Sequence, residues 1–311
     1  MPDTASPPPR PRGPLTALYA SPGLLLSLAA LSWAGNALAG QLAREQIDPF
    51  ALTLVRWVAV SLILWPLFGH EVRAHWPAAR ARLGRVVLMA VFGFTVFNAL
   101  FYAASLSTAA VNIGILQGSM PVLVLVGAVL LLGERVSGRQ ALGVAATLVG
   151  AAVVATRADP LALIEAGINP GDALMLAACV CYSGYTLALR DRPAMPGRAF
   201  FTLLCPIAAV AALPFALAEI AWTGGRWPTL EGWAVAAYVT VFPSCLAQLF
   251  FLRGVDLVGP ARAGVYINLV PVFAALGGVL LLGEPFRGFH AVALALVLGG
   301  IWLTQRPSRA R

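Results

Sequence analysis

Two side-chain amides, Asn98 and Gln248, stand 150 residues apart within apolar runs. An amide both donates and accepts hydrogen bonds, so a pair at matching depth suits a zwitterionic or hydroxylated solute; it suits an interhelical hydrogen bond equally well. Phe94, Asn98, Tyr102 and Ser105 recur at spacings of four, four and three, which places them on one helix face, and Ser244 with Gln248 echoes that face. Trp33 and Asn36 lie three apart, and Tyr182 and Tyr185 repeat the spacing at an offset of 149. Rings with polar tips can close on a small organic ligand, or pack at a helix crossing beside Gly35 and Gly184.

Two prolines add backbone chemistry. Pro121 removes the amide hydrogen that would bond the Gln117 carbonyl, and Pro271 does the same for Ile267. Inside a bilayer a freed carbonyl must face a cavity, water or a neighbouring donor. Asn112, Gln117 and Ser119 precede the first kink, and Tyr266 and Asn268 the second, so these residues join the candidates for a substrate cavity. Pro121 and Pro271 are candidate hinges for alternating access; a purely structural kink, with Gln117 satisfying backbone locally, uses the same residues.

Arg56 is the one basic residue well inside an apolar run. Its guanidinium can hold a substrate carboxylate bidentately. The expected behaviour of an Arg about two turns from a helix end is instead to snorkel to the interface or pair with a nearby carboxylate. Glu134 and Glu284 each follow Leu-Leu-Leu-Gly at the end of an apolar run, where a carboxylate favours the N-terminus of the helix that follows, a structural role. Small residues at Gly143, Thr147 and Gly150, and at Ala291, Ala295 and Gly299, suit close helix packing.

Other chemistries lack their residues. All 21 basic residues are Arg, and without Lys there is no P-loop lysine, Schiff base or lysine nucleophile. Cys179, Cys181, Cys205 and Cys245 sit in apolar runs without metal-ligand spacing and read as packing. His70, His75 and His290 fall in or beside loops, and no HExxH or Cys/His cluster exists. No catalytic residue, metal or cofactor is expected. The formal charge of +8 sits on Arg residues at the ends of apolar runs, so nucleic acid is not an expected partner.

The elements that must position these groups are membrane helices. Of 311 residues, 59% are hydrophobic and 11% charged, against roughly a quarter charged in soluble domains. A window of about 20 apolar residues predicts ten spans, at 22–42, 50–69, 85–105, 109–132, 139–156, 172–189, 199–219, 232–252, 260–282 and 289–304. Residues 1–21 and 305–311 read as tails, the first disordered, and 157–171 as a linker. Cleavage of a signal segment after Ala37-Leu38-Ala39 is not expected, because Trp33, Asn36 and Gln41 interrupt the run. With the N-terminus inside, sixteen Arg fall in cytoplasmic segments and only Arg44, Arg157, Arg226 and Arg287 outside, which places both termini in the cytoplasm.

The chain is also a duplication. Residues 121–134 read PVLVLVGAVLLLGE and 271–284 read PVFAALGGVLLLGE, at a constant offset of 150. Each half then carries five spans, an odd number, so the second half inserts upside down relative to the first. Inverted repeats of this kind build a binding site near the midplane, where the halves meet.

These features resemble the drug/metabolite transporter superfamily, in particular its ten-helix EamA-type members. The resemblance rests on Ser32-Trp33-Ala34-Gly35-Asn36, Arg56, the stretch Ala103 to Glu134, Gly143 and Gly150, Gly171-Asp172, and Val258 to Glu284. It implies an all-α integral membrane protein with two inverted five-helix EamA repeats, 22–156 and 172–304, in the cell (inner) membrane. Members look like exporters or importers of amino acids, related metabolites, nucleotide sugars or cationic drugs. Arg56 looks like part of the fold pattern, and the Glu that four-helix multidrug members carry in the first helix has no counterpart at positions 24–42.

The expectation is a secondary transporter, an exporter of small organic metabolites such as amino acids, and not an enzyme. A lipid or lipid-linked sugar flippase is the alternative. Expected partners are membrane lipid and a small-molecule substrate, with the chain a monomer or homodimer. Asp172, Glu219 and Asp256 lie near span ends, which leaves no central carboxylate to couple protons.

Overall fold

The computed structural model describes residues 19–133, 137–156, 169–258 and 260–305. Glu134, Arg157 with nearly all of the expected linker, and most of both expected tails lie outside the described residues. Apolar runs too poor in polar partners to satisfy a backbone externally satisfy it internally, as helix. In chain order the elements are α1 (Pro22–Leu42), α2 (Pro49–Ala74), a one-turn helix at Trp76–Arg80, α3 (Leu83–Ser105), α4 (Ala110–Gln117) and α5 (Met120–Leu132). The order continues with α6 (Gly138–Ala155), α7 (Pro170–Ala188), α8 (Gly197–Thr223), α9 (Leu230–Val258), α10 (Pro260–Ile267), α11 (Leu269–Leu282) and α12 (Gly288–Gln305).

Among the described residues, seven helical runs are long and apolar enough to cross a membrane, α4 and α5 counting as one. Three further apolar helices, Gly138–Val154, Leu269–Leu282 and Gly288–Leu303, are shorter. The helices α2, α8 and α9 run past the expected span ends at 69, 219 and 252. The α2 overrun carries His70, expected in or beside a loop, as an exposed helical residue. It is held by Arg198 Nη2, 2.7 Å from Glu71 Oε1, a pairing of charges that hydropathy alone does not register.

The duplication is visible as repeated geometry. Gly133 and Gly283 end α5 and α11 in the same left-handed conformation, at φ 66° and φ 65°, which side chains with a Cβ adopt only at a cost. The helix breaks at Gly118-Ser119, just before Pro121, and again at Asn268, just before Pro271. Both α3 and α9 contain a π-helical stretch, Val91–Val96 and Thr240–Leu246, at equivalent positions of the two halves.

Every major helix pairing joins the two halves. The contacts α2·α8 and α6·α12 each link a helix to its own copy, α4·α11 links the two broken helices that the repeat equates, and α1·α9 and α3·α7 are exchanged by the repeat. At α6·α12 the small-residue expectation needs correction, since Ala291, Ala295 and Gly299 are exposed. The stripe facing Gly143, Thr147 and Gly150 is Ala293, Val297 and Gly300, displaced from the former by the same 150 residues. A Cβ on Gly300 would lie 2.5 Å from the Gly143 carbonyl oxygen, so the two backbones approach closely there.

Candidate functional site

The polar side chains gather where both halves meet, around Arg56. It lies on α2, about 10 Å along the helix from Pro49, and is 5% exposed. Its Nε donates to Ser244 Oγ at 2.7 Å. Its Nη1 reaches Asn98 Oδ1 at 2.7 Å, Tyr102 Oη at 2.6 Å and Asn36 Oδ1 at 3.2 Å. Tyr102 Oη in turn donates to Asn36 Oδ1 at 2.9 Å. Helices α1, α2, α3 and α9 each supply one or more of these groups, and Trp57 places its ring 5.0 Å from the guanidinium carbon.

This overturns the expectation that Arg56 snorkels to the interface or finds a carboxylate. The side chain points across the helix bundle and not along it, into a ring of neutral acceptors. Among the described residues no Asp or Glu lies within ion-pair distance of it. Nη2 makes no hydrogen bond to any described residue.

The π-helical stretches shape this ring. In α9, Ser244 Oγ donates to the carbonyl of Val239, five residues back, at 2.6 Å, leaving its lone pairs for Arg56. In α3, the Phe94 carbonyl accepts from Asn98 Nδ2 at 2.7 Å and from Trp57 Nε1 at 3.2 Å. These bonds aim Asn98 Oδ1 at Arg56. Single π-turns inside helices recur at functional sites because they present backbone and side-chain groups that a regular helix hides. Neither Ser244 as a ligand of Arg56 nor either π-stretch was expected; Pro243, inside the second stretch, is the sole local hint.

The aromatic candidates flank the ring on both sides. Trp33 Nε1 donates to the Pro243 carbonyl at 3.1 Å, and its ring meets Phe251 at 5.3 Å. Tyr185 contacts Phe94 at 5.1 Å and Tyr182 at 5.3 Å, and Tyr182 contacts Phe97 at 5.0 Å. Each aromatic helix thus packs on the π-stretch of the other half, α1 on α9 and α7 on α3. Gly184, expected beside the tyrosines at a crossing, is exposed.

The other candidates lie apart. Gln248, the sequence equivalent of Asn98, is half-buried and makes no hydrogen bond to a described residue. Gln117 Oε1 is likewise a buried acceptor with no partner among them. Tyr266 contacts the beginning of α1, where a Cβ on Gly23 would lie 3.2 Å from its hydroxyl. Asn268 marks the break between α10 and α11.

Asn112 belongs to a second polar chain, near the end of the bundle that carries the α1–α2 turn. His290, 5% exposed, accepts from the Arg287 amide through Nδ1 at 3.0 Å, so its Nε2 carries the hydrogen and donates to Asn112 Oδ1 at 3.2 Å. Asn112 Nδ2 donates to Thr108 Oγ1 at 3.1 Å, and Thr108 donates to Asp172 Oδ1 at 2.5 Å. His290 is thus a buried residue in the first turn of α12, beside the loop as expected. Gln41 Nε2 and Arg44 Nη2 both donate to the Thr108 carbonyl at 2.8 Å, and Arg44 also bonds the Ser105 carbonyl.

Glu284 completes this end and corrects a second expectation. Its carboxylate accepts from the amides of Ala110 at 2.8 Å and Val111 at 2.9 Å, the first turn of α4 and not of the helix that follows it. The left-handed turn at Gly283 reverses the chain, and Glu284 N bonds the Gly278 carbonyl at 3.0 Å, which directs the side chain across to α4. Glu219 of α8 does the same for α2, taking the amides of Phe50 and Ala51 at 2.9 to 3.1 Å. A cavity of about 560 Å³ among Arg80, Arg82, Leu83 and Arg85 contains none of the candidate side chains.

Comparison with known proteins agrees with this architecture. The model of the EamA-like transporter family matches residues 21–156 and again 169–306. The uncharacterized transporter YetK of Bacillus subtilis is 27% identical over 91% of this chain and 86% of its own. The uncharacterized protein PA1977 of Pseudomonas aeruginosa is 32% identical over 93% and 96%. The threonine/homoserine exporter RhtA of Salmonella typhimurium is 29% identical over 41% of this chain and 42% of its own. One crystal structure superposes at a TM-score of 0.61 with 21% identity, covering 91% of this chain and 95% of the other, a likeness of fold alone. With both halves matched, the chain is a multi-pass membrane protein that belongs to the EamA-like transporter family, within the drug/metabolite transporters.

Proposed function

We propose that this protein is a secondary transporter that exports small organic metabolites, amino acids or related compounds, by alternating access around a central site between two inverted five-helix repeats. The repeats are residues 22–156 and 172–304. Both termini face the cytoplasm, the membrane is the cell (inner) membrane, and the unit is a monomer or homodimer.

The observation that carries the reading is the Arg56 ring. A buried charge costs several kcal/mol, so an ionisable group held inside a membrane span points to function. Here Asn36, Asn98 and Tyr102 from one half and Ser244 from the other share it. A relative motion of the halves must therefore remake the ring, which is what a site alternately open to two faces requires. The reciprocal pairing of α1 with α9 and α3 with α7 supports a two-fold relation between the halves. RhtA, similar over part of the chain, exports threonine and homoserine and supports amino acids as cargo.

The test is efflux from cells overproducing the protein, with extracellular amino acids and related metabolites quantified against cells carrying Asn98→Ala at equal membrane abundance. Overproduction should raise at least one external metabolite, and the variant should remove most of the rise. A metabolite profile identical in both strains and in the empty-vector control rejects the transporter reading at this site.

A further inference from the structure

We infer that Arg56 is the anchor for a carboxylate, so that the cargo of this protein carries at least one carboxylate group. This rests on the transporter reading of the same site and narrows it to a chemical class.

The argument is one of charge and donors. A guanidinium presents five N–H donors and one positive charge that ordinary pH does not remove. Its described ligands are two amide oxygens, a phenol and a hydroxyl, which supply lone pairs but no countercharge. Three acceptors crowd on Nη1, a fourth sits on Nε, and Nη2 has none among the described residues. The neutral partners thus hold Nε and Nη1 and leave the two N–H groups of Nη2 for a further acceptor.

A carboxylate can take an Nη2 hydrogen with one oxygen and, by displacing one of the three acceptors crowded on Nη1, a parallel N–H with the other, and once bound it neutralises the buried charge. The surrounding groups disfavour cationic and neutral occupants. A cationic cargo would meet Arg56 at close range in a low dielectric, with no carboxylate in ion-pair distance to offset the repulsion among the described residues. A neutral cargo would leave the charge uncompensated. The Trp57 ring packs on the guanidinium, and Tyr102 beside it can yield its place on Nη1 to an incoming oxygen.

The experiment compares each acid with its own amide, using the full-length protein in lipid nanodiscs at constant ionic strength. The probes are acetate and acetamide, lactate and lactamide, and L-threonine and L-threoninamide, with the unfolding midpoint as readout. At least one acid should raise the midpoint by about 2–4 °C at saturation, and its amide should not. In Arg56→Lys, which keeps the charge and loses the fork, the acid concentration needed should rise about tenfold or more. If that variant does not fold, Tyr102→Phe replaces it; with one competitor for Nη1 removed, it should bind the acid at least as tightly as the wild type. If no acid outdoes its amide, or if Arg56→Lys binds the acid unchanged, the inference is overturned. Counterflow in proteoliposomes separates the two readings. Acids that bind but never cross leave the carboxylate anchor standing and remove the transporter, whereas cations or neutral amides that cross do the reverse.

Discussion

Ser244 accepts the Nε–H of Arg56 at 2.7 Å while giving its own hydrogen to the Val239 carbonyl at 2.6 Å, five residues back along the same helix. The hydroxyl therefore joins a π-turn in the second half to the buried charge of the first. A regular α-helix would occupy Ser244 with a carbonyl four residues back and turn its lone pairs elsewhere.

Ser244→Ala should consequently act at a distance from its size. It deletes one oxygen, yet it leaves a buried Arg56 donor without an acceptor, at a cost of about 1–3 kcal/mol. The expected result is a lower unfolding midpoint and at least a tenfold loss of counterflow, with Ser244→Thr restoring most of both. Full activity and unchanged stability in Ser244→Ala would mean that the bond does not form in the working protein.

Asn98 and Gln248 separate in the structure although the repeat equates them. Asn98 is 2% exposed and bonded at both ends of its amide, whereas Gln248 is half-buried with no described partner. Asn98→Ala should lower efflux strongly and cost about 1–3 kcal/mol, and Gln248→Ala should cost under about 0.5 kcal/mol. Efflux assays on the two single variants decide it; equal losses would restore the symmetric pair.

Much of the scaffold was legible because it depends on local rules. The left-handed glycines at 133 and 283, the breaks before Pro121 and Pro271 and the close α6·α12 contact all follow from residue type and the 150-residue offset. The small stripe on α12 was misplaced only because the offset was not applied to it. The site was less legible, for a physical reason. An Arg in an apolar run is cheapest at the interface, and nothing local to residue 56 announces acceptors at 36, 98, 102 and 244. The π-turns that aim two of those acceptors have no strong sequence signal, and Glu284 finds its helix 173 and 174 residues away.

Glu284 gives a prediction of its own. Its carboxylate satisfies two otherwise orphaned amides at the start of α4 and sits on the positive end of that helix. Glu284→Ala should cost about 1–2 kcal/mol. Glu284→Gln keeps one acceptor and loses the charge, so it should fall between. Thermal unfolding of the three proteins in one detergent gives the order; an alanine variant as stable as the wild type would show that water caps α4 equally well.

Close approach at Gly171 yields another. A Cβ there would stand 2.7 Å from the Ala104 carbonyl oxygen and 2.9 Å from the Thr108 amide nitrogen, both backbone atoms that cannot swing aside. Gly171→Ala should therefore push α7 off the end of α3 and disturb the adjacent Thr108–Asp172 bond. The expected cost is about 1–3 kcal/mol, read as a lower unfolding midpoint, with a wild-type midpoint as the result that contradicts the packing.

The inverted arrangement of the halves is open to a direct test through two exposed arginines. Arg139 begins α6, just after the turn that ends the first-half motif, and Arg287 precedes α12, just after the turn that ends the second. If one half is flipped relative to the other, these corners lie on opposite faces of the membrane. A membrane-impermeant maleimide added to intact cells should label Arg287→Cys at once and Arg139→Cys only after permeabilisation. Three of the four native cysteines are buried and the fourth is half-buried, so the unsubstituted protein supplies a low background. Labelling of both positions from the same side would make the repeats parallel. The shared Arg56 ring would then have to work without alternating access between two inverted halves.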